Sequence, residues 1–227
     1  MSPVVTPGEL AQFIESYLLR PDASLAEVEK LCAQARDRRF FSVCVNGSWV
    51  AAARHFLDGS EVKVASTVGF PFGAVSSDVK RYETEVAIDD GAQEINVMLN
   101  IARLKAGEDK YVLRELIDVA EAADERTVKV ILETCLLTGA EKIRACQLVV
   151  ESGAHFVTTS SGFSPIGATI PDIKLLRETV GPKFGVMAAG GIRDAQSGLT
   201  LMEAGATRLG IASNIAILNG PADGETH

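Results

Sequence analysis

Short runs rich in β-branched and aromatic residues recur along the chain. Each is separated from the next by a longer stretch whose apolar residues return at helical spacing. The strand-like runs fall at 14–19, 40–45, 61–68, 93–99, 127–134, 184–189 and 207–212, with one more that starts at His155 and breaks into a glycine loop before Phe163. Between them the spacing predicts a short leading helix from Thr6, then helices from Ser24 to about Arg36 and through Trp49 to Phe56. Further helices are predicted over 77–89, 108–123, 138–151, 172–179 and 195–204. Two starts carry a capping box, Ser24-Leu-Ala-Glu27 and Thr138-Gly-Ala-Glu141, in which hydroxyl and carboxylate each satisfy an orphan amide.

Three junctions repeat: Gly91-Ala-Gln-Glu-Ile-Asn96, Gly153-Ala-His-Phe-Val-Thr158 and Gly205-Ala-Thr-Arg-Leu-Gly210. Each places a glycine where a helix stops in a left-handed cap and enters a strand within two or three residues. Eight mostly apolar strands alternating with helices predict a parallel sheet closed on itself, a single α/β (β/α)8 TIM barrel with a short N-terminal helix, over residues 1–227 as one domain. Reactive groups are then expected at the carboxyl ends of the strands and in the loops that follow.

Composition narrows the partners. With 22 basic and 30 acidic residues the formal charge is −8, leaving no cationic surplus for a nucleic-acid backbone or an anionic membrane, though a local cationic pocket stays open. No apolar run reaches membrane-spanning length and the start lacks a secretory pattern, so a cytoplasmic protein is expected. Cys32, Cys44, Cys135 and Cys146 show no Cys-x-x-Cys spacing and read as buried thiols, not a disulfide or metal framework. No glycine-rich dinucleotide fingerprint follows the first strands. Neither cofactor nor metal is expected.

Two segments carry a specific likeness: His155-Phe-Val-Thr-Thr-Ser-Ser-Gly-Phe163 and Phe184-Gly-Val-Met-Ala-Ala-Gly-Gly-Ile-Arg193. The pair resembles the signature of the deoxyribose-phosphate aldolase family, which reads Phe-Val-Lys-Thr-Ser-Thr-Gly-Phe and Val-Lys-Ala-Ser-Gly-Gly-Val-Arg. The resemblance runs from about Ile14 to Asn219. It implies an inward-facing Schiff-base lysine and an activating lysine where this chain has Thr158 and Met187, and a proton-transferring aspartate where it has Asn96. Neither threonine nor methionine can form an imine, and an amide does not take up a proton near neutral pH. Alternation places Ser160 beside Thr158 and Ala189 beside Met187. Glu15-Ser-Tyr17 stands where the family has Asp-His-Thr, and Cys44 in Ser42-Val-Cys-Val-Asn46 is shared and expected to pack at the pocket floor.

Val128-Lys-Val-Ile-Leu-Glu-Thr134 matches the family's fifth strand, with Lys129, Ile131 and Glu133 expected on one face. Three readings stay open for Lys129: a structural ion pair with Glu133, an oxyanion or proton-transfer group, or a displaced imine nucleophile. The resemblance also implies that Gly162, Gly190, Gly191, Arg193, Gly210 and Ser213 cradle a substrate phosphate; the plainer reading is glycines serving as turns. Ser164-Pro-Ile-Gly167 and Ile211-Ala212 depart from the family there. His155 falls on the face opposite Thr158 and is expected among helices or in solvent. The facing of Lys63 is not fixed by the pattern. His55 and His227 show no partner.

The expected function is an aldolase-like barrel without Schiff-base chemistry, acting as a non-covalent lyase, isomerase or cyclase. Asn96, Lys129, Glu133, Thr158, Ser160 and Met187 would form its centre. The expected substrate is a small carbonyl or phosphorylated compound, a sugar phosphate among the options, and family likeness makes a homodimer reasonable. The rivals are a noncatalytic ligand- or partner-binding homologue and a residual aldolase using Lys129 or Lys63.

Overall fold

The structure is a computed structural model that describes residues 9–213. Eight strands, β1 (Ile14–Leu18), β2 (Ser42–Val45), β3 (Lys63–Val68), β4 (Glu94–Met98), β5 (Thr127–Ile131), β6 (Phe156–Thr158), β7 (Gly185–Ala189) and β8 (Arg208–Ala212), close into a barrel in sequence order. All eight pairings are parallel, β8 returning to β1 through Ile14 opposite Leu209.

The crossovers are α1 (Leu25–Arg38), α2 (Val50–Phe56), α3 (Ser77–Asp89), α4 (Ile101–Lys105), α5 (Asp109–Ala122), α6 (Gly139–Glu151), α7 (Ile170–Val180) and α8 (Ala195–Glu203). Both expected capping boxes form, Ser24 with Glu27 and Thr138 with Glu141. The junction glycines Gly91, Gly153 and Gly205 adopt φ of 102°, 82° and 122°, a region costly for residues with a Cβ. One continuous apolar layer, including Val43, Val64, Ile95, Val97, Val128, Val130, Val157, Val186 and Leu209, lies between strands and helices. These are the outward-facing strand positions, so the inward set is left for polar chemistry.

Three differences from the sequence pattern matter. Within the described residues the leading helix is a 3-10 turn, Leu10–Phe13; Thr6 and its neighbours up to residue 8, like His227 and the resemblance beyond residue 213, lie outside them. The fifth strand stops at Ile131 rather than 134. Glu133 turns into the left-handed region, φ 55°, and a 3-10 turn, Thr134–Leu136, follows. Strand alternation therefore does not carry through to Glu133. The short α4 was not expected; Asn100 caps it by accepting from the Arg103 amide at 3.3 Å.

Candidate active site

A cavity opens at the carboxyl ends of the strands. It is lined by Glu15 and Tyr17 of β1, Cys44 of β2, Thr67 of β3, Asn96 of β4, Ile131 of β5, Thr158 of β6, and Met187 and Ala189 of β7, together with Leu19, Ser160 and Ser161. Four of the expected central residues, Asn96, Thr158, Ser160 and Met187, are thus brought together. Register explains the convergence: Ile131 stands opposite Thr158 and Thr158 opposite Met187. The free space is only ≈ 20 Å³, enough for a water molecule. Met187 lines it with its terminal methyl 2.7 Å from where a Cβ on Gly210 would sit.

Three buried polar atoms of this wall lack a hydrogen-bond partner: Asn96 Oδ1, Thr158 Oγ1 and Ser160 Oγ. Buried hydroxyls and amides are normally paired, because an unmet donor or acceptor costs its desolvation. The Asn96 amide nitrogen is occupied; it donates to Glu15 Oε1 at 2.7 Å and to the Cys44 sulfur at 3.1 Å. Cys44, fully enclosed, has its thiol pKa pushed up by burial and by the Glu15 carboxylate, which keeps it a neutral floor. Tyr17 is likewise raised, by burial and then by Cys44, so its phenol stays protonated.

Beneath the cavity lies an ion network that sequence reasoning assigned differently. Lys129 is buried and pairs not with Glu133 but with Glu15, through a short contact, and with Glu94 at 2.7 Å. Glu94 also meets Arg208 at 3.5 Å and Lys63 at 3.9 Å. Burial alone would lower the Lys129 pKa, but the two carboxylates outweigh it and raise the value, holding the amine as an ammonium. Burial would likewise raise Glu15; Lys129, Arg208 and the Asn96 amide outweigh it and lower it. Lys129 does not line the cavity, and neither does any other lysine.

Glu133 also falls outside that cavity. Its carboxylate accepts from the Ser161 amide at 3.4 Å and from the Ser161 hydroxyl, and it lines a neighbouring space of ≈ 110 Å³ with Phe72, Leu136 and Phe163. It departs from the expected face because the strand has already ended. Glu94, Arg208 and Thr67 were the residues missed. The signal existed, since Glu94 lies two before Asn96 and Arg208 two before Gly210, the spacing that keeps side chains on one face of a strand.

The six residues expected to cradle a phosphate are distributed around the same mouth. Gly162 packs under Tyr17, and a Cβ on Gly190 would lie 3.5 Å from Ser160 Cβ and 3.9 Å from Gly162 Cα. The loop after β6 lies directly on Gly190: any side chain at Gly167 would strike the Gly190 carbonyl, and the Ala168 amide donates to it at 3.0 Å. Gly191 and Arg193 are exposed beyond it, Gly210 sits in β8, and the Ser213 amide donates to the Tyr17 carbonyl at 2.9 Å. His155, as expected, is exposed, its Nδ1 accepting from the Val128 amide at 3.1 Å. Lys63 faces inward at the opposite, lower end of the barrel.

The barrel fold agrees with comparison to known proteins. The model of the DeoC/LacD family aldolases matches residues 13–218. This chain belongs to that aldolase family. A deoxyribose-phosphate aldolase of Alkaliphilus oremlandii is 50% identical over 215 residues, covering 94% of this chain and 97% of the relative. One of Streptococcus pneumoniae serotype 19F is 49% identical over 218 residues, 96% and 99% of the two chains. Among solved structures, that of a putative deoxyribose-phosphate aldolase from Coccidioides immitis superposes with a TM-score of 0.92 at 34% identity, covering 96% of this chain and 87% of the other. Among the described residues of this aldolase-family chain, no helix is long and apolar enough to cross a membrane.

Proposed function

We propose that this family member binds a small hydroxy-carbonyl compound, carried as its phosphate, at the Thr158 cavity and acts on it without forming an imine. The observation that carries the reading is the wall itself: unpaired Asn96 Oδ1, Thr158 Oγ1 and Ser160 Oγ face one cavity that no lysine lines. The Thr158 and Ser160 hydroxyls would donate to a carbonyl oxygen that gains negative charge, an arrangement effective where water is excluded. Asn96 Oδ1 would accept from a substrate hydroxyl. Glu15, ionised at the cavity wall and engaged by Lys129 and Asn96, would orient the Asn96 amide and stabilise positive charge nearby. The phosphate would rest at Gly162, Gly190, Gly191 and Arg193, with Gly210 and Ser213 opposite. The relatives' printed names, deoxyribose-phosphate aldolase, support a sugar phosphate as the substrate class.

Since ≈ 20 Å³ does not admit such a molecule, Met187 would have to swing aside, which an unbranched thioether does readily. The test is turnover across a panel of aldehydes, ketones and sugar phosphates, repeated on T158V and S160A. Loss of a donor to a developing oxyanion should lower kcat by about 10²-fold. Turnover indifferent to both changes would move the reaction out of this cavity.

A further inference from the structure

At the lower end of the barrel, on the side of the strands' amino ends, a further cavity of ≈ 750 Å³ is lined by residues that include Phe13, Arg36, Arg39, Phe41, Glu61 and Lys63. That is the size range of small-molecule sites. It is far from the mouth in register: Lys63 begins β3, whereas Thr67 of the same strand lines the upper cavity.

Its charge runs against that of the chain. Arg36, Arg39 and Lys63 face it with Glu61 as the one carboxylate among the described residues, in a protein whose formal charge is −8. Among the described residues, neither Arg36 nor Arg39 forms an ion pair with a carboxylate. Arg39 is held in a left-handed conformation, φ 56°, as the residue closing α1, which fixes where its side chain leaves the backbone. The floor is aromatic. Phe41 is stacked against the Arg208 guanidinium at 3.4 Å, and Lys63 Nζ lies 5.0 Å from the ring centroid. Two guanidiniums offer the forked donors that suit phosphate oxygens, and Phe13 and Phe40 provide apolar wall beside them.

We propose that this lower cavity is a second binding site, for a small phosphate monoester with an aromatic or apolar body. Arg36 and Arg39 grip the phosphate, Lys63 neutralises its remaining charge, and the body lies against Phe13 and Phe41. Lys63 is shared with Glu94 of the buried network at 3.9 Å, so an anion here competes for an ammonium that otherwise leans into the barrel. The site does not depend on the reading of the upper cavity.

Phenyl phosphate is the probe, followed by isothermal titration calorimetry on the intact chain, with inorganic phosphate and phenol as partial probes. The double variant R36A/R39A should weaken phenyl phosphate by about tenfold or more, and K63M should weaken it too. R193A removes any phenyl phosphate held at the upper mouth, so the binding that survives R193A and is lost in R36A/R39A reports the lower cavity. Both arginines are exposed, so circular dichroism of R36A/R39A should match the parent. Affinity unchanged in R36A/R39A overturns the proposal whatever R193A does, and so does the absence of saturable binding at millimolar phenyl phosphate.

Discussion

Lys129 occupies the centre of the barrel with Glu15 on one side and Glu94 on the other, all three almost wholly shielded from solvent. A buried pair is weak evidence of stability, but removing one partner strands the other charge. K129M should therefore cost about 3–5 kcal/mol at pH 7 in equilibrium urea unfolding; a loss below about 1 kcal/mol would contradict the network's importance. The pH dependence has a definite sign. Glu15 is lowered in the folded state, so its contribution is present above the usual 4.5 and is lost as pH falls through the lower folded value. Lys129 is raised, so its contribution is present below the usual 10.5 and is lost as pH rises through the higher folded value. The gap between parent and K129M should narrow toward acid, where Glu15 no longer needs its partner charged.

Between α3 and α5 a second buried pair works the other way. Lys80 Nζ meets Glu115 Oε1 at 2.6 Å and the Met98 carbonyl at 2.8 Å, with both side chains fully enclosed. Burial outweighs the pairing for each, lowering Lys80 and raising Glu115, so both are pushed toward their neutral forms. Replacing both, K80M/E115L, should leave stability unchanged or higher, whereas K80M alone, which leaves the Glu115 carboxyl and the Met98 carbonyl without their donor, should cost about 1–3 kcal/mol; thermal unfolding of the three proteins decides it, and a double variant as unstable as the single would refute the argument. At this scale the sequence was most legible, because helix caps, junction glycines and β-branched runs are local signals. The exceptions were equally physical. Glu133 left its expected face because β5 ends at Ile131 and Glu133 itself turns left-handed, and α4 escaped notice because five residues carry less than two helical turns of periodicity. The pairing of Lys129 with Glu15 was illegible for another reason: they lie 114 residues apart, and only barrel closure brings them together.

Over the whole molecule, charge is threaded along the barrel axis. Lys63 at the lower end reaches Glu94, Glu94 reaches Lys129, Lys129 reaches Glu15, and Glu15 holds Asn96 at the upper cavity. The inward positions that many barrels fill with branched apolar side chains are here given to this network. It leaves the amine of Lys129 charged and engaged, and so unsuited to attack a carbonyl. The fold thus supplies a hydroxyl-lined mouth on an aldolase barrel, where the proposed chemistry is non-covalent. The direct measurement is mass spectrometry after incubating the unaltered protein with deoxyribose 5-phosphate, or with acetaldehyde, in the presence of borohydride. The account predicts no adduct, mapped on peptides, beyond the reductive alkylation that exposed lysines of any protein give; a stable adduct on Lys129 or Lys63 above that level would contradict it.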